Sequence, residues 1–374
     1  MTDPGHQEFR DDCLAILREQ TEGKRVHRRR FLQALVALGI APAALRFTPV
    51  AHAASGELVV VNWGGDAVPA YEDIWAKPFN AANSGAKVVI SGAGPTSGKI
   101  KAMVESGSVT WDVCDRTVPA SVELGRQNLL EKIDWNVVSK DKLRPAHRSD
   151  WGVGAYLYSF VLTYDRNALK GPAPKNWADF WNVKDFPGKR TLRNNIEGML
   201  EAALMADGVA ADKIYPIDVD RALEKIKEIK EHTIFWTSGA ESQQFFRNRE
   251  VVMGNLWHTR SMLLQKEVGD RIQFTFDQGI LFAGAWIVPK GAPGRELAWK
   301  FIASTQRPES QVELLKRVGN GPINPEASAL VSTDLAAYNC GSPENVAKQV
   351  AVDNEWYAEQ YATALNRYMD AIAS

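Results

Sequence analysis

Apolar positions along the chain alternate between two patterns, short β-branched runs and segments with helical spacing. Residues 57–63 (Glu-Leu-Val-Val-Val-Asn-Trp) read as a strand, closed by the turn signal Gly64-Gly65-Asp66. Tyr71, Ile74, Trp75 and Phe79 then recur at helical spacing over residues 71–82. A second strand is expected at 87–90. Ser97 is placed to cap a helix carrying Ile100, Met103 and Val104 on one face. A third strand at 111–114 and a helix at 122–130 complete an alternation that predicts a parallel sheet covered by helices.

The middle of the chain repeats the style. An aromatic-rich strand at 156–164 follows Gly152 and Gly154, and helices are expected at 177–181, 198–205, 221–231 and 241–248. In the third of these Leu223, Ile226 and Ile229 line up, so its lysines read as a solvated face. A buried strand at 251–256 follows, with Trp257 to Arg260 emerging at its carboxyl end. Strands at 272–276 and 280–288 flank Gly279, helices are expected at 295–304 and 309–318, and 319–325 is a loop. A long amphipathic helix is expected after Ser342-Pro343, with Trp356, Leu365, Tyr368 and Ile372 on its apolar face. The pattern implies two α/β halves joined by the strands near 156–164 and 276–288, with a cleft between them. The first half takes residues 56–157 and 280–325, the second 158–279 and 326–374. In open α/β sheets the crevice outside the strand ends is where ligands bind.

With 374 residues, 45% hydrophobic and 24% charged, the chain has material for two cores. The formal charge of −1, with no basic patch interleaved with aromatics, argues against a nucleic-acid partner or an anionic membrane surface. Residues 1–53 read as a cleaved export signal. His27-Arg28-Arg29-Arg30-Phe31-Leu32-Gln33 matches the twin-arginine pattern, residues 34–45 are apolar but shorter than a bilayer span of about 20 residues, and Ala51-His52-Ala53 is a small-x-small cleavage site. The competing reading is a basic patch before a core helix. Export implies a periplasmic product. Cys13 leaves with the signal, and Cys114 and Cys340 remain as two buried thiols or an oxidised pair.

Catalytic motifs are not in evidence. His147, His232 and His258 are isolated from one another, and no H-E-x-x-H, C-x-x-C or G-x-S-x-G occurs, so no metal, cofactor or catalytic residue is assigned. The loop at 92–100 fails the phosphate-loop pattern at Ala93 and Ile100 and the dinucleotide pattern at Ser97; a tight turn and an anion-binding turn both remain open. Trp257 with Arg260 likewise carries two readings, a core tryptophan before a surface arginine, or an aromatic plate beside a cation that binds a small anion or zwitterion.

Several short motifs recur in a definite order: Val61-Asn62-Trp63-Gly64-Gly65, Trp111-Asp112-Val113 leading to Thr117, Asn255-Leu256-Trp257, and the crossing strands at 156–165 and 280–289. In this order the chain resembles the periplasmic solute-binding proteins of ABC importers, in the branch that includes the spermidine/putrescine-binding proteins. The resemblance spans residues 56–330. It implies an α/β, two-lobe fold, each lobe a mostly parallel sheet flanked by helices and joined by hinge strands, closing on a small-molecule ligand and delivering it to a membrane permease. A monomer without catalytic activity or cofactor is implied as well.

By the same resemblance the ligand-binding positions fall on Trp63 and Gly64 of the first turn, Thr117, the second-lobe acid Glu197, and Trp257. The sequence departs from the polyamine binders at three places. Arg260 stands where they carry an aspartate, Gly284 where they carry a second, and Asn320 where they carry a tyrosine. Two lost carboxylates leave a buried diamine uncompensated, at a cost of several kcal/mol per unpaired charge. Arg260, with Arg116 and Arg193 as candidates beside it, would instead hold a carboxylate. The ligand implied is a small organic acid or zwitterion, with Glu197 able to retain an amine. For Arg116 an ion pair with Asp112 or Asp115, and for Arg193 one with a surface acid, stand as the plain alternatives. Rival readings are a polyamine receptor using Asp66, Asp115 or Asp277, an exported enzyme, and an iron-binding relative, whose tyrosine pairs are not evident.

Overall fold

The computed structural model describes residues 56–373; the expected export signal and Cys13 lie outside them. Within the described residues a single mixed sheet runs through the molecule in the order β2-β1-β3-β8-β4-β7-β5-β6, with β9 added against β8. The strands are β1 (Glu57–Val61), β2 (Lys87–Ser91), β3 (Val113–Thr117), β4 (Val153–Asp165), β5 (Arg190–Arg193), β6 (Thr233–Trp236), β7 (Met253–Trp257), β8 (Ile272–Ile287) and β9 (Val350–Ala351). Pairing is parallel in β2-β1-β3 and in β7-β5-β6, and antiparallel where β8 meets β3 and β4 and where β4 meets β7. Strand-helix-strand crossovers impose parallel pairing at each end of the sheet.

The two long strands hold the halves together. The start of β4 and the end of β8 pair with one another beside β3, and the far ends of both lie in the second half, where β4 also pairs β7. Each half has its own core: Leu58, Trp75, Phe79, Trp286 and Phe301 in the first, Trp177, Phe180, Leu200, Trp236 and Tyr368 in the second. Cys340 packs in the first core and Val350 in the second. Both Cys114 and Cys340 are buried free thiols.

Several boundaries differ from expectation for physical reasons. β8 is one strand, not two. Phe160 pairs Ile280 and Leu162 pairs Thr275, so residues 276–279 bulge from the ladder and, with the positive φ of Gln278, break the sequence pattern at Gly279. The third strand and its helix, Val118–Arg126, sit several residues away from 111–114 and 122–130. Thr117 caps that helix, its hydroxyl accepting from the Ala120 N–H at 3.3 Å, with Pro119 in the first turn. Thr96, not Ser97, caps the Ser97–Ser106 helix. Pro343 opens only a short helix, Pro343–Val346; β9 intervenes before the long Asn354–Ala373 helix. The helix expected at 71–82 begins at Ala67 and contains a π turn, Glu72–Ala76, between Ala67–Tyr71 and Lys77–Ala82.

Candidate functional site

Strand ends from both halves open onto one cavity of about 670 Å³, counting the part open to solvent. Trp63 follows β1, Arg116 and Thr117 end β3, Arg193 ends β5, and Trp257 ends β7. Glu197, Arg260 and Asn320 complete the sequence-predicted residues on its wall. Gly64 and Gly284 stand behind it. The Gly64 carbonyl accepts from Arg260 Nη2 at 3.2 Å, and a Cβ at Gly284 would lie 2.6 Å from the Tyr156 ring. Gly284 pairs with Thr117 on one side and Tyr156 on the other, so its lack of a side chain lets Tyr156 lie flat over the sheet.

Each arginine is held differently. Arg116 donates from Nη2 to Ser97 Oγ at 3.0 Å, with its guanidinium carbon 5.5 Å from the Trp63 ring centre; it forms no ion pair with Asp112 or Asp115. Arg193 donates to Glu197 Oε2 at 2.6 Å, both side chains buried. Its guanidinium lies 5.0 Å from Trp257, 5.5 Å from Trp236 and 5.8 Å from Trp63. Arg260 is buried, not a surface charge; it reaches across the cleft to Asp66 Oδ2 at 3.3 Å and to the Gly64 carbonyl. Gly65 and Gly239 make that possible, since a Cβ at either would fall within 3.0 Å of the guanidinium. Burial pulls the Arg260 pKa down, with Asp66 opposing.

Unpartnered donors gather at this cavity. The Nε–H groups of Arg116, Arg193 and Arg260 and the indole N–H of Trp257 are buried without an acceptor in the protein. An unmet buried donor costs about 1–3 kcal/mol, so such groups are sparse in folded interiors.

His258 fixes the Trp257 end of the wall. Its Nδ1 accepts from the Ser159 N–H at 3.0 Å, which leaves Nε2 to donate to the Gly319 carbonyl at 2.8 Å. Burial drops its pKa to about 4, so it stays neutral and bolts the hinge strand to the loop carrying Asn320. His147 and His232 lie off the wall, and among the described residues no cluster of three or more His, Cys, Asp or Glu could hold a metal ion. The loop at 92–100 is a tight turn: Lys99 Nζ donates to the carbonyls of Ala93 and Gly94, so the lysine closes its own loop.

Further wall residues are Tyr71, Asp115, Tyr156 and Tyr158. Asp115 accepts from Tyr71 Oη at 3.0 Å and from Tyr156 Oη at 2.7 and 2.8 Å. In the sequence Tyr71 reads only as a position at helical spacing and Tyr156 only as the start of a crossing strand. The available signal was the charged pair Asp115-Arg116 inside a strand otherwise bound for a core, since a strand with one charge on each face needs partners on both.

Residues 75–339 match the family described as bacterial extracellular solute-binding protein. The gamma-aminobutyric acid-binding protein of Pseudomonas aeruginosa is 34% identical over 321 residues, covering 84% of this chain and 90% of that protein. The solved structure of a GABA receptor shares 35% identity with a TM-score of 0.77, covering 85% of this chain and 98% of that one. A periplasmic binding protein from Agrobacterium tumefaciens R10, in complex with agropinic acid, shares 30% identity with a TM-score of 0.79, covering 85% and 99%. The chain therefore belongs to the bacterial extracellular solute-binding protein family and is a substrate-binding protein of the ABC-importer type.

Proposed function

We propose that this protein is exported by the twin-arginine route and captures a small carboxylate-bearing solute, an organic acid or zwitterion, in the periplasm for delivery to its permease. The observation that carries the reading is the donor-rich wall: three arginines and the Trp257 indole, each with a buried N–H that lacks a protein acceptor. A carboxylate accepts up to four hydrogen bonds and supplies the missing charge. Arg116 and Arg193, stacked on Trp63 from two directions, are the carboxylate's first partners, and Arg260 closes over it from the second lobe while tied to Asp66 of the first. The relatives named for gamma-aminobutyric acid and agropinic acid support the same ligand chemistry.

The protein acts as a monomer and performs no reaction; contacts from both lobes favour the closed state, and closure is driven only as far as the ligand binds that state more tightly than the open one. A polyamine fits poorly, because Glu197 is already paired with Arg193 and Asp66 with Arg260, which leaves too few free carboxylates for two or more ammonium groups. A thermal-shift panel of putrescine, spermidine, butanoate, glutarate and 4-aminobutanoate tests this. Stabilisation by the amines with none by the acids sinks it. Arg260→Asp places a carboxylate beside Asp66 and should weaken acid binding by about a hundredfold, roughly 3 kcal/mol; unchanged affinity would show that Arg260 does not serve the ligand.

A further inference from the structure

The acids around the cavity are not equivalent. Glu197 is paired with Arg193, and Asp66 with Arg260. Asp115 has no cation within ion-pair distance among the described residues: Arg116, its neighbour in β3, points to the opposite face of the sheet and bonds Ser97. Instead Asp115 is held by two tyrosine hydroxyls. Each hydroxyl has a single proton, and both protons are committed to the carboxylate. What Tyr71 and Tyr156 present to the cavity is therefore oxygen lone pairs. This part of the wall accepts hydrogen bonds and donates none, the reverse of the arginine wall.

We infer that Asp115, with the hydroxyls of Tyr71 and Tyr156, is a subsite for a primary ammonium, so that the solute is a zwitterion whose amine docks here while its carboxylate meets the arginines. The inference rests on the carboxylate reading and narrows it from acids in general to amino acids. An ammonium offers three donors and one positive charge, which match the acceptor-only oxygens and the one uncompensated carboxylate. A second carboxylate at the same place would meet only acceptors.

The electrostatics agree. Burial pushes the Asp115 carboxyl up to about 7, although the bonds from Tyr156 and Tyr71 and the charge of Arg116 pull it down. Both tyrosines are themselves held well above their ordinary range, by burial first, and remain protonated donors. The other charged group facing them is Arg260, from the His258–Val268 helix, already paired with Asp66. An arriving ammonium stabilises the ionised carboxylate, so amine binding releases a proton near neutrality and tightens as pH rises through about 7.

The test is calorimetry at pH 8 with 4-aminobutanoate, butanoate and glutarate on wild type, Asp115→Asn and Tyr71→Phe, each variant checked by its thermal midpoint. Wild type should prefer 4-aminobutanoate to butanoate by at least about a hundredfold. Asp115→Asn should reduce that ratio to within about threefold, and Tyr71→Phe should lower it by about tenfold, which keeps the inference testable if the Asn variant does not fold. Titrations of wild type at pH 6.5, in buffers of different ionisation enthalpy, should show proton release on binding 4-aminobutanoate and none on binding butanoate. Retention of the wild-type ratio by Asp115→Asn, or tighter binding of glutarate than of 4-aminobutanoate, overturns the inference and leaves the carboxylate reading intact. Failure of all three ligands to bind wild type overturns the carboxylate reading, and the inference with it.

Discussion

Asp115 and Glu201 are two buried carboxylates built alike. Glu201, on the Met199–Ala206 helix, accepts from Tyr215 and Tyr357, each at 2.7 Å, through one oxygen, and its other oxygen has no partner. Burial pushes each acid up to about 7, against its tyrosine hydrogen bonds. Yet only Asp115 lies on the cavity wall; Glu201 is sealed in the second lobe with 0% exposure. A displaced pKa and a tyrosine pair are thus not a binding site by themselves. What separates the two is the neighbourhood: both are buried, but Asp115 is among the residues lining a cavity shared with arginines and indoles, and Glu201 is not.

The largest expected effect is on stability, where the two acids act alike and only the response of ligand binding separates them. A carboxyl whose folded pKa lies above its unfolded value contributes most below the unfolded pKa, and that contribution is lost as pH rises through the folded one. For Glu201 the window runs from 4.5 to about 7, worth on the order of 3 kcal/mol at 1.36 kcal/mol per unit. Glu201→Gln should lessen the fall of urea-derived stability over that window, leaving the part due to Asp115, and be the more stable protein at pH 8, with ligand affinity within about threefold of wild type. An unchanged slope would mean that Glu201 does not titrate in that window. Next in size is a matched pair of hydroxyl deletions. Tyr357→Phe and Tyr156→Phe should each cost about 1–2 kcal/mol of stability, but only Tyr156→Phe should weaken 4-aminobutanoate binding, by about tenfold. Equal effects on binding would erase the distinction between the two acids. The smallest effect is expected at the cross-cleft ion pair. The Asp66 side chain is 56% exposed, so Asp66→Asn should change affinity by less than about fivefold, and less again at high salt.

Much of the scaffold was legible because its strands and helices obey period. The helix Trp177–Trp181 falls where its aromatics place it, and β4 extends the expected strand by only a few residues. Polarity in the interior is what hid the rest. β5 reads Arg-Thr-Leu-Arg, all buried. Arg190 is tolerated there because carbonyls of Phe180, Asn182, Phe186 and Gly188 surround its guanidinium. No hydropathy pattern announces such a strand, nor the His258–Val268 helix, whose first turn buries His258, Thr259, Arg260 and Ser261. The site divides along the same line. Trp63, Thr117, Arg193 and Trp257 stand at strand ends, where order along the chain reveals them. Asp115 and its tyrosines come together from β3, β4 and the first helix, and their meeting depends on the three-dimensional crossing of those elements.

The π turn at Glu72–Ala76 has a consequence for the phase of that first helix. A π turn adds a residue to the i→i+4 pattern, and each residue of an α-helix advances about 100° around its axis. With it, Tyr71 reaches Asp115 while Trp75 packs against Tyr71 and Trp286, and Phe79 meets Phe301. Forcing the same residues into plain α-helical bonding, with none removed, would leave the downstream core in place but give the extra residue no turn to occupy. The upstream turn would then rotate by that angle and swing the tyrosine away from the carboxylate. A slip of one position in phase, silent in composition and nearly silent in helix content, would be enough to part Tyr71 from the proposed amine subsite.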